Sequence, residues 1–254
     1  RALLYVLPTG GGKTVTYAAI AEGAALRNKR ALILEHRKEL IRQASMALAG
    51  LGIAHRVVAS AKVVNAIRKA HVKKFGWPFI NQTAAVAVAS VQTLARNMEW
   101  LAEFAPDLLV IDEAHHAVAG TWKKIITACL VICAKMLILG VTATPCRTNG
   151  DGLGEIFHKI ILGPSPRELI ADGWLLRPRV VSPPVIADFS NVRRGKDGDL
   201  NPDDQASALD RRDITGDAIE HYERLAPGRP AIVFASNLGH AANVAAQFRE
   251  SGWR

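Results

Sequence analysis

Short apolar runs alternate with longer stretches of helical periodicity along most of this chain, and that alternation leaves few folds open. The runs are Leu3–Leu7, Ala31–Glu35, Arg56–Ala59, Ala85–Ala89, Leu108–Ile111, Leu137–Val141 and Ala231–Ala235. Between them the spacing predicts helices over Lys13–Arg27, Lys38–Leu51, Val63–Lys74, Val91–Phe104 and Trp122–Ala134. Strands that are apolar throughout are buried on both faces, and strands joined by helix-length crossovers pair in parallel. The expected class is α/β, a parallel sheet with helices on both faces, in which ligands bind at the carboxyl ends of the strands.

The pattern weakens after Pro145. Gly150–Gly154 is glycine-rich, and Pro164, Pro166, Pro178, Pro183 and Pro184 punctuate the chain beyond it. Asn191–Asp204 is polar and turn-rich and is expected as an exposed loop. Helical spacing resumes over Asp210–Leu225 and Gly239–Glu250. A domain boundary is expected near Gly163, dividing the chain into 1–163 and 164–254.

Three cysteines, Cys129, Cys133 and Cys146, are too few and too odd for a disulfide framework. They point to a reducing, cytoplasmic compartment, with Cys129 and Cys133 as core thiols. No apolar run reaches the roughly 18 residues of a transmembrane helix, so no membrane partner is expected. The chain opens on Arg1 rather than Met, and an upstream piece is expected. Lys and Arg number 32 against 23 Asp and Glu, a net charge of +9 that suits a polyanionic partner.

The segment Leu7-Pro8-Thr9-Gly10-Gly11-Gly12-Lys13-Thr14 follows a strand and opens a helix. Glycines let backbone N–H groups converge on phosphate oxygens, and the helix amino terminus adds partial positive charge. Lys13 reaches the outer phosphates and the Thr14 hydroxyl is placed to ligate Mg²⁺. The strict phosphate-loop pattern wants Gly where this chain has Leu7.

Downstream, Leu108–Ile111 leads into Asp112-Glu113-Ala114-His115. An acid at the end of a buried parallel strand faces the phosphate loop. Asp112 suits Mg²⁺, partly through water, and Glu113 suits the role of general base toward an attacking water. His115 and His116 have no third ligand nearby, so His115 is expected to sense the γ-phosphate rather than bind metal. Asp197-Gly198-Asp199-Leu200-Asn201 opens like a calcium loop, but Pro202 stands where Gly is needed and Ala208 where Glu is needed, so calcium is rejected.

With these motifs in order, the chain resembles superfamily 2 helicases with a DEAH box. Pro8–Thr14 matches their first motif, in which Leu7's position is often small, and Asp112–His115 their second. Val141-Thr142-Ala143-Thr144-Pro145 resembles the third, which makes Thr142, Ala143 and Thr144 the expected couplers of nucleotide state to nucleic-acid grip. His36-Arg37-Lys38-Glu39-Leu40 and Ser90-Val91-Gln92-Thr93-Leu94 look like strand-tracking motifs. Ile232-Val233-Phe234-Ala235 with Asn237 looks like the start of a second RecA-like domain. Thr121-Trp122, Thr144-Pro145-Cys146-Arg147, Gly152-Leu153-Gly154 and Gly173-Trp174-Leu175 are together similar to bacterial and phage RadD-type DNA helicases, although Thr148-Asn149-Gly150 departs from their pattern.

The resemblance implies a RecA-like phosphate-loop ATPase domain, the beginning of a second such domain, ATP and Mg²⁺ as cofactors, and DNA, single-stranded or branched, as partner. RNA is the alternative. It also implies two further motifs with arginine fingers, which this sequence does not contain, so weak hydrolysis is expected of this piece alone. Arg37, Lys38, Ser90, Gln92 and Thr93 are the expected contacts to the phosphate–sugar backbone. Arg193, Arg194 and Lys196 are read as a solvated basic loop. A restriction-enzyme motor subunit, or a nucleotide-gated nucleic-acid-binding module, is the other class of function the motifs allow.

Overall fold

The computed structural model describes residues 2–145, 152–181, 188–195, 200–210 and 212–253. Two compact units divide the chain, Arg1–Arg177 and Pro178–Arg254. The first continues past Gly163, because Leu175 lies against the phosphate-loop glycine Gly10.

The first unit is built on β1 (Ala2–Val6), β2 (Ala31–Glu35), β3 (His55–Val58), β4 (Val86–Ser90), β5 (Leu108–Asp112), β6 (Leu137–Thr142) and β7 (Lys159–Leu162). They form one seven-stranded sheet in the order β3-β4-β2-β5-β6-β1-β7. Every pairing is parallel. The helices are α1 (Lys13–Ala25), α2 (Lys38–Gly50), α3 (Ala61–Phe75), α4 (Val91–Leu94), α5 (Glu99–Phe104), α6 (Gly120–Ile132) and α7 (Pro166–Ala171). The second unit holds α8 (Pro202–Leu209), α9 (Arg212–Leu225) and α10 (Leu238–Glu250).

Side-chain alternation explains the two layers of core. Leu32 and Leu34 of β2 with Leu109 and Ile111 of β5 pack toward α4, α5 and α6, where Leu94, Phe104 and Ile125 are buried. Ala31 and Ile33 with Leu108 and Val110 pack toward α1, α2 and α3, meeting Tyr17, Leu48 and Ile67. Leu32, Ile33 and Leu34 have no exposed surface; each such side chain contributes roughly 1.5–3 kcal/mol of transfer free energy. By the same alternation Glu35 and Asp112 fall on the α1 face.

Four expectations differ from the structure. The run Ala31–Glu35 and its neighbours form strands within a residue or so of prediction, but Ala231–Ala235 is not a strand. No described strand of its unit pairs with it, and Ile232 and Phe234 stand exposed; an apolar run without a ladder partner has no reason to extend. The predicted helix Val91–Phe104 is two, because Arg96 N–H donates to Thr93 O and Asn97 N–H to Leu94 O, tightening the chain out of the α ladder. Strand β7 and helix α7 lie where proline punctuation masked order. The expected loop Asn191–Asp204 ends inside α8, whose cap Asn201 accepts from the Asp203 and Asp204 N–H groups. Cys146, Arg147, Thr148–Gly150, Pro183, Pro184 and 196–199 lie outside the described residues. Cys129 is buried and both it and Cys133 are free thiols. No described helix is long and apolar enough to cross a membrane.

Candidate nucleotide site

The phosphate loop leaves β1 through Leu7 and enters α1 at Lys13. Its glycines answer different needs. Gly10 and Gly12 hold φ of 81° and 91°, a backbone that L side chains rarely adopt. At Gly11 the N–H closes a turn on Pro8 O at 3.0 Å, and a Cβ there would sit 2.8 Å from Leu7 Cγ. With Leu7 at the first position of the loop, that contact leaves room only for glycine at position 11. The Leu7 N–H donates to Thr142 O at 3.0 Å, and its buried side chain wedges between Gly11 and Gly163. Lys13 Nζ donates to Leu7 O at 3.2 Å, so the ammonium lies folded back along the loop.

Asp112 ends β5, opposite Val141 of β6, and Val6 of β1 lies opposite Thr142. The acid and the phosphate loop are therefore at the same carboxyl edge of the sheet, separated by one strand. The Asp112 carboxyl is buried. On balance that burial holds its pKa above the usual carboxylate value, although the Glu113 N–H donating to it at 2.9 Å pulls the other way.

Glu113 has φ 49°, a left-handed conformation costing on the order of 1–3 kcal/mol for a non-glycine residue. The turn swings its carboxylate to within 3.4 Å of His115 Nδ1. The same nitrogen lies 3.2 Å from Thr142 Oγ1 and 3.4 Å from Thr144 Oγ1. Thr142 Oγ1 donates to Thr144 O and accepts from Thr144 N–H, each at 3.1 Å. With its one proton committed there, Thr142 can only accept from the imidazole, which places the histidine proton on Nδ1. Ala143 sits in the bend between the two threonines. The acid pair and the Thr142–Thr144 segment are therefore in direct contact through His115.

Two residues that the sequence reading passed over complete this edge. Glu35 ends β2 with no exposed surface. Tyr17 Oη of α1, also buried, donates to Glu35 Oε1 at 3.1 Å. Glu35 Oε2 has no partner. Leu34 pairs with Ile111, so Glu35 and Asp112 are the next residues along adjacent strands. Burial, then the neighbouring Asp112 charge, push the Glu35 pKa well up. Burial likewise pushes the Tyr17 phenol up. The sequence signal was an acid closing an otherwise wholly apolar run.

Mg²⁺ takes few protein carboxylates and keeps its waters. The residues present fit that habit: a hydroxyl at Thr14 and a buried carboxyl at Asp112.

The residues expected to hold nucleic acid divide. Arg37, the N-cap of α2, and Lys38 are exposed, Lys38 making only a surface pair with Glu39 at 3.6 Å. A cleft between the starts of α2 and α3 continues from them, lined by Arg42 and Lys62. Ser90 is buried, Thr93 half-buried and Gln92 exposed, and the three are hydrogen-bonded into the same edge. Ser90 Oγ donates to Gln92 Oε1 at 2.9 Å, Thr93 N–H donates to Ser90 Oγ at 3.4 Å, and Gln92 Nε2 donates to His36 O at 3.1 Å. They tie the turn after β4 to the turn after β2. In the basic loop, Arg193 forms a fork with Asp204, its Nε at 2.7 Å.

An edge built this way on a wholly parallel sheet is that of a RecA-like phosphate-loop core. The chain belongs to the family described as "Type III restriction enzyme, res subunit", which matches residues 1–147, and so to the superfamily 2 helicases. Among its relatives is the 51.5 kDa protein of Lactococcus phage (isolate 7-9), 31% identical over 245 residues that cover 96% of this chain and 46% of that protein. Another is IRC3 of Saccharomyces cerevisiae, named as an ATP-dependent helicase, 27% identical over 258 residues that cover 97% of this chain and 35% of that protein. The chain thus spans less than half the length of these relatives. The helicase domain of Pyrococcus furiosus Hef aligns with 99% of this chain and 50% of its own, at 19% identity and a TM-score of 0.49.

Proposed function

We propose that this chain is the ATP-hydrolysing core of a DNA helicase or translocase that works in repair or recombination, with a RadD-like role as the finer reading. One observation carries the nucleotide chemistry: the strand register sets the phosphate loop that follows β1 and the acid Asp112 that ends β5 at the same carboxyl edge of the sheet, with only β6 between them. Pro8, Thr9, Gly10, Gly11 and Gly12 form the loop whose backbone N–H groups face the phosphates. Lys13 turns from Leu7 O toward the outer phosphate oxygens. Thr14 and Asp112 are the residues that would hold Mg²⁺, which when bound draws negative charge away from the phosphates.

Glu113 accepts a proton from the attacking water as the new oxygen–phosphorus bond forms and the bond to the bridging oxygen breaks. His115, set between Glu113 and Thr142, carries the change to Thr144. Arg37, Lys38 and the cleft beside them offer positive charge to a phosphate backbone without reading bases, which suits movement along any sequence. The second unit as the start of another RecA-like domain, and a cytoplasmic setting, belong to the same reading. The restriction-subunit family description favours a second one, the motor of a restriction enzyme.

ATPase assays with single-stranded DNA, duplex DNA and RNA in parallel separate these. DNA stimulation supports the proposal; stimulation by RNA alone overturns the DNA assignment. Lys13→Ala should abolish tight ATP binding. Glu113→Gln should keep binding and lose about 10²–10⁴ in turnover, the usual worth of a general base; normal turnover would overturn its role.

A further inference from the structure

We propose that the outer face of α3 is a second nucleic-acid surface, which leads a single strand away from the nucleotide edge to a stacking platform at Trp77. It rests on the reading of the chain as a nucleic-acid motor, and adds a path for the strand. Between Glu39 and Glu99 the sequence holds no Asp or Glu, while eight Lys and Arg fall within that stretch. Lys62, Lys69 and Lys73 recur at the spacing of one helix face. All three are exposed, on the side of α3 opposite the buried Ile67 and His71. Among the described residues no carboxylate pairs with any of them.

The stripe continues the charge at the carboxyl edge, because Lys62 lines one cleft with Lys38 and Arg42. α3 is the crossover from β3 to its parallel neighbour β4, so it returns toward the amino edge of the sheet. Its 15 residues cover about 22 Å at 1.5 Å per residue. At the far end Gly76, with φ 87°, closes the helix, and Trp77 follows with 65% of its surface exposed. The Trp77 ring meets Phe79 edge-on at 6.0 Å. Phe79 is itself fixed, its N–H donating to His71 Nδ1 at 3.2 Å and its carbonyl accepting from His55 N–H at 3.0 Å. The indole is thus presented on a braced loop where the basic stripe ends. Cations along a strand neutralise phosphates, and a base of any identity stacks on an exposed ring. A lipid surface would instead require a free apolar helix face, and α3 turns that face to the core, where Ile67 is buried.

The test is anisotropy of the full chain with fluorescent oligothymidylates of increasing length, from ~4 to beyond ~16 nucleotides, with thermal melting run alongside. Affinity of the parent should rise again once the strand is long enough to reach from Arg37 to Trp77. Trp77→Ala should remove that gain, a loss of ~5- to 140-fold on long strands, and leave short strands at the parent value. Position 77 is exposed, so the variant should melt near the parent. Trp77→Phe keeps a ring and should recover part of the gain. Lys69→Gln with Lys73→Gln should lower the salt slope on long strands by ~1.4, about 0.7 for each phosphate. Parent-like affinity of Trp77→Ala on long strands, or an unchanged slope in the double variant, overturns the proposal, as does a loss equal on short and long strands. Binding to phosphatidylserine vesicles that the same variants lose, with oligothymidylate binding intact, makes the face a lipid surface and overturns it too. A parent that binds no oligonucleotide of any length overturns the motor reading itself, a failure visible before any variant is compared.

Discussion

Away from the nucleotide edge, the hydrogen atoms of one buried chain of polar groups can be assigned one by one. Phe79 N–H donates to His71 Nδ1 at 3.2 Å, so a neutral His71 carries its proton on Nε2 and donates to Ser45 Oγ at 3.2 Å. Ser45 then donates to His55 Nε2 at 2.6 Å, and His55 Nδ1 donates to Ile53 O at 2.8 Å. The chain pins α2, α3 and β3 together and works only with both rings neutral. Burial pulls His55 from 6.5 down to about 4, and pulls His71 down as well. As the pH falls, the unfolded chain takes up these protons first, so the folded state loses stability. For His55 the loss should begin near pH 6.5 and be complete near pH 4, with His71 adding to it in the same direction. For His55 it amounts to roughly 3 kcal/mol, since each tenfold weakening of proton affinity is worth about 1.36 kcal/mol. Chemical denaturation across that range, compared with His55→Leu, should show a shallower acid loss in the variant. Equal slopes would contradict the assignment.

At the scale of elements, the central strands leave little room. Gly140 of β6 lies in the sheet interior, where a Cβ would run into the ring of Phe157 and sit 2.9 Å from Ala114 Cβ. Gly140→Ala should therefore destabilise by about 1–3 kcal/mol through overpacking, read as a lower denaturation midpoint with an unchanged slope. Gly140→Ala with Phe157→Leu should recover part of the loss. Why Gly140 must be glycine could not be read from the sequence, because Phe157 arrives from a separate segment beyond the strand. What could be read were the strands buried on both faces. Ala31-Leu32-Ile33-Leu34 is apolar because both neighbours and both layers press on it. The phosphate loop and the acid pair were also legible, since their chemistry is local. The missed helices share one cause: Pro166 and Pro202 look like breaks in a linear sequence. Each is a first-turn proline behind a capping residue, Ser165 with Glu168 in a capping box and Asn201 over two N–H groups. Glu35 shows in the sequence only as an acid closing an apolar run, and its bond from Tyr17 could not be read there, because it depends on how α1 packs on β2.

For the whole molecule, the quantity that matters is the net charge of +9 and how much of it a nucleic acid meets. Arg37 and Lys38 open α2 at the carboxyl edge of the sheet, and Arg42 and Lys62 line the adjoining cleft. If they contact phosphates, binding releases condensed counterions, and the logarithm of the association constant falls linearly with the logarithm of salt concentration. The slope counts phosphates neutralised, about 0.7 per contact on a single strand, whereas base readout would make affinity depend on sequence. Arg37→Ala should weaken binding by a similar factor on every single-stranded sequence and reduce the slope by about one contact. Fluorescence anisotropy on two unrelated oligonucleotides over a salt series measures both quantities. A loss confined to one sequence would make Arg37 a base reader. A slope that does not change would take it off the nucleic-acid face, even if the total charge still drew the strand to the protein.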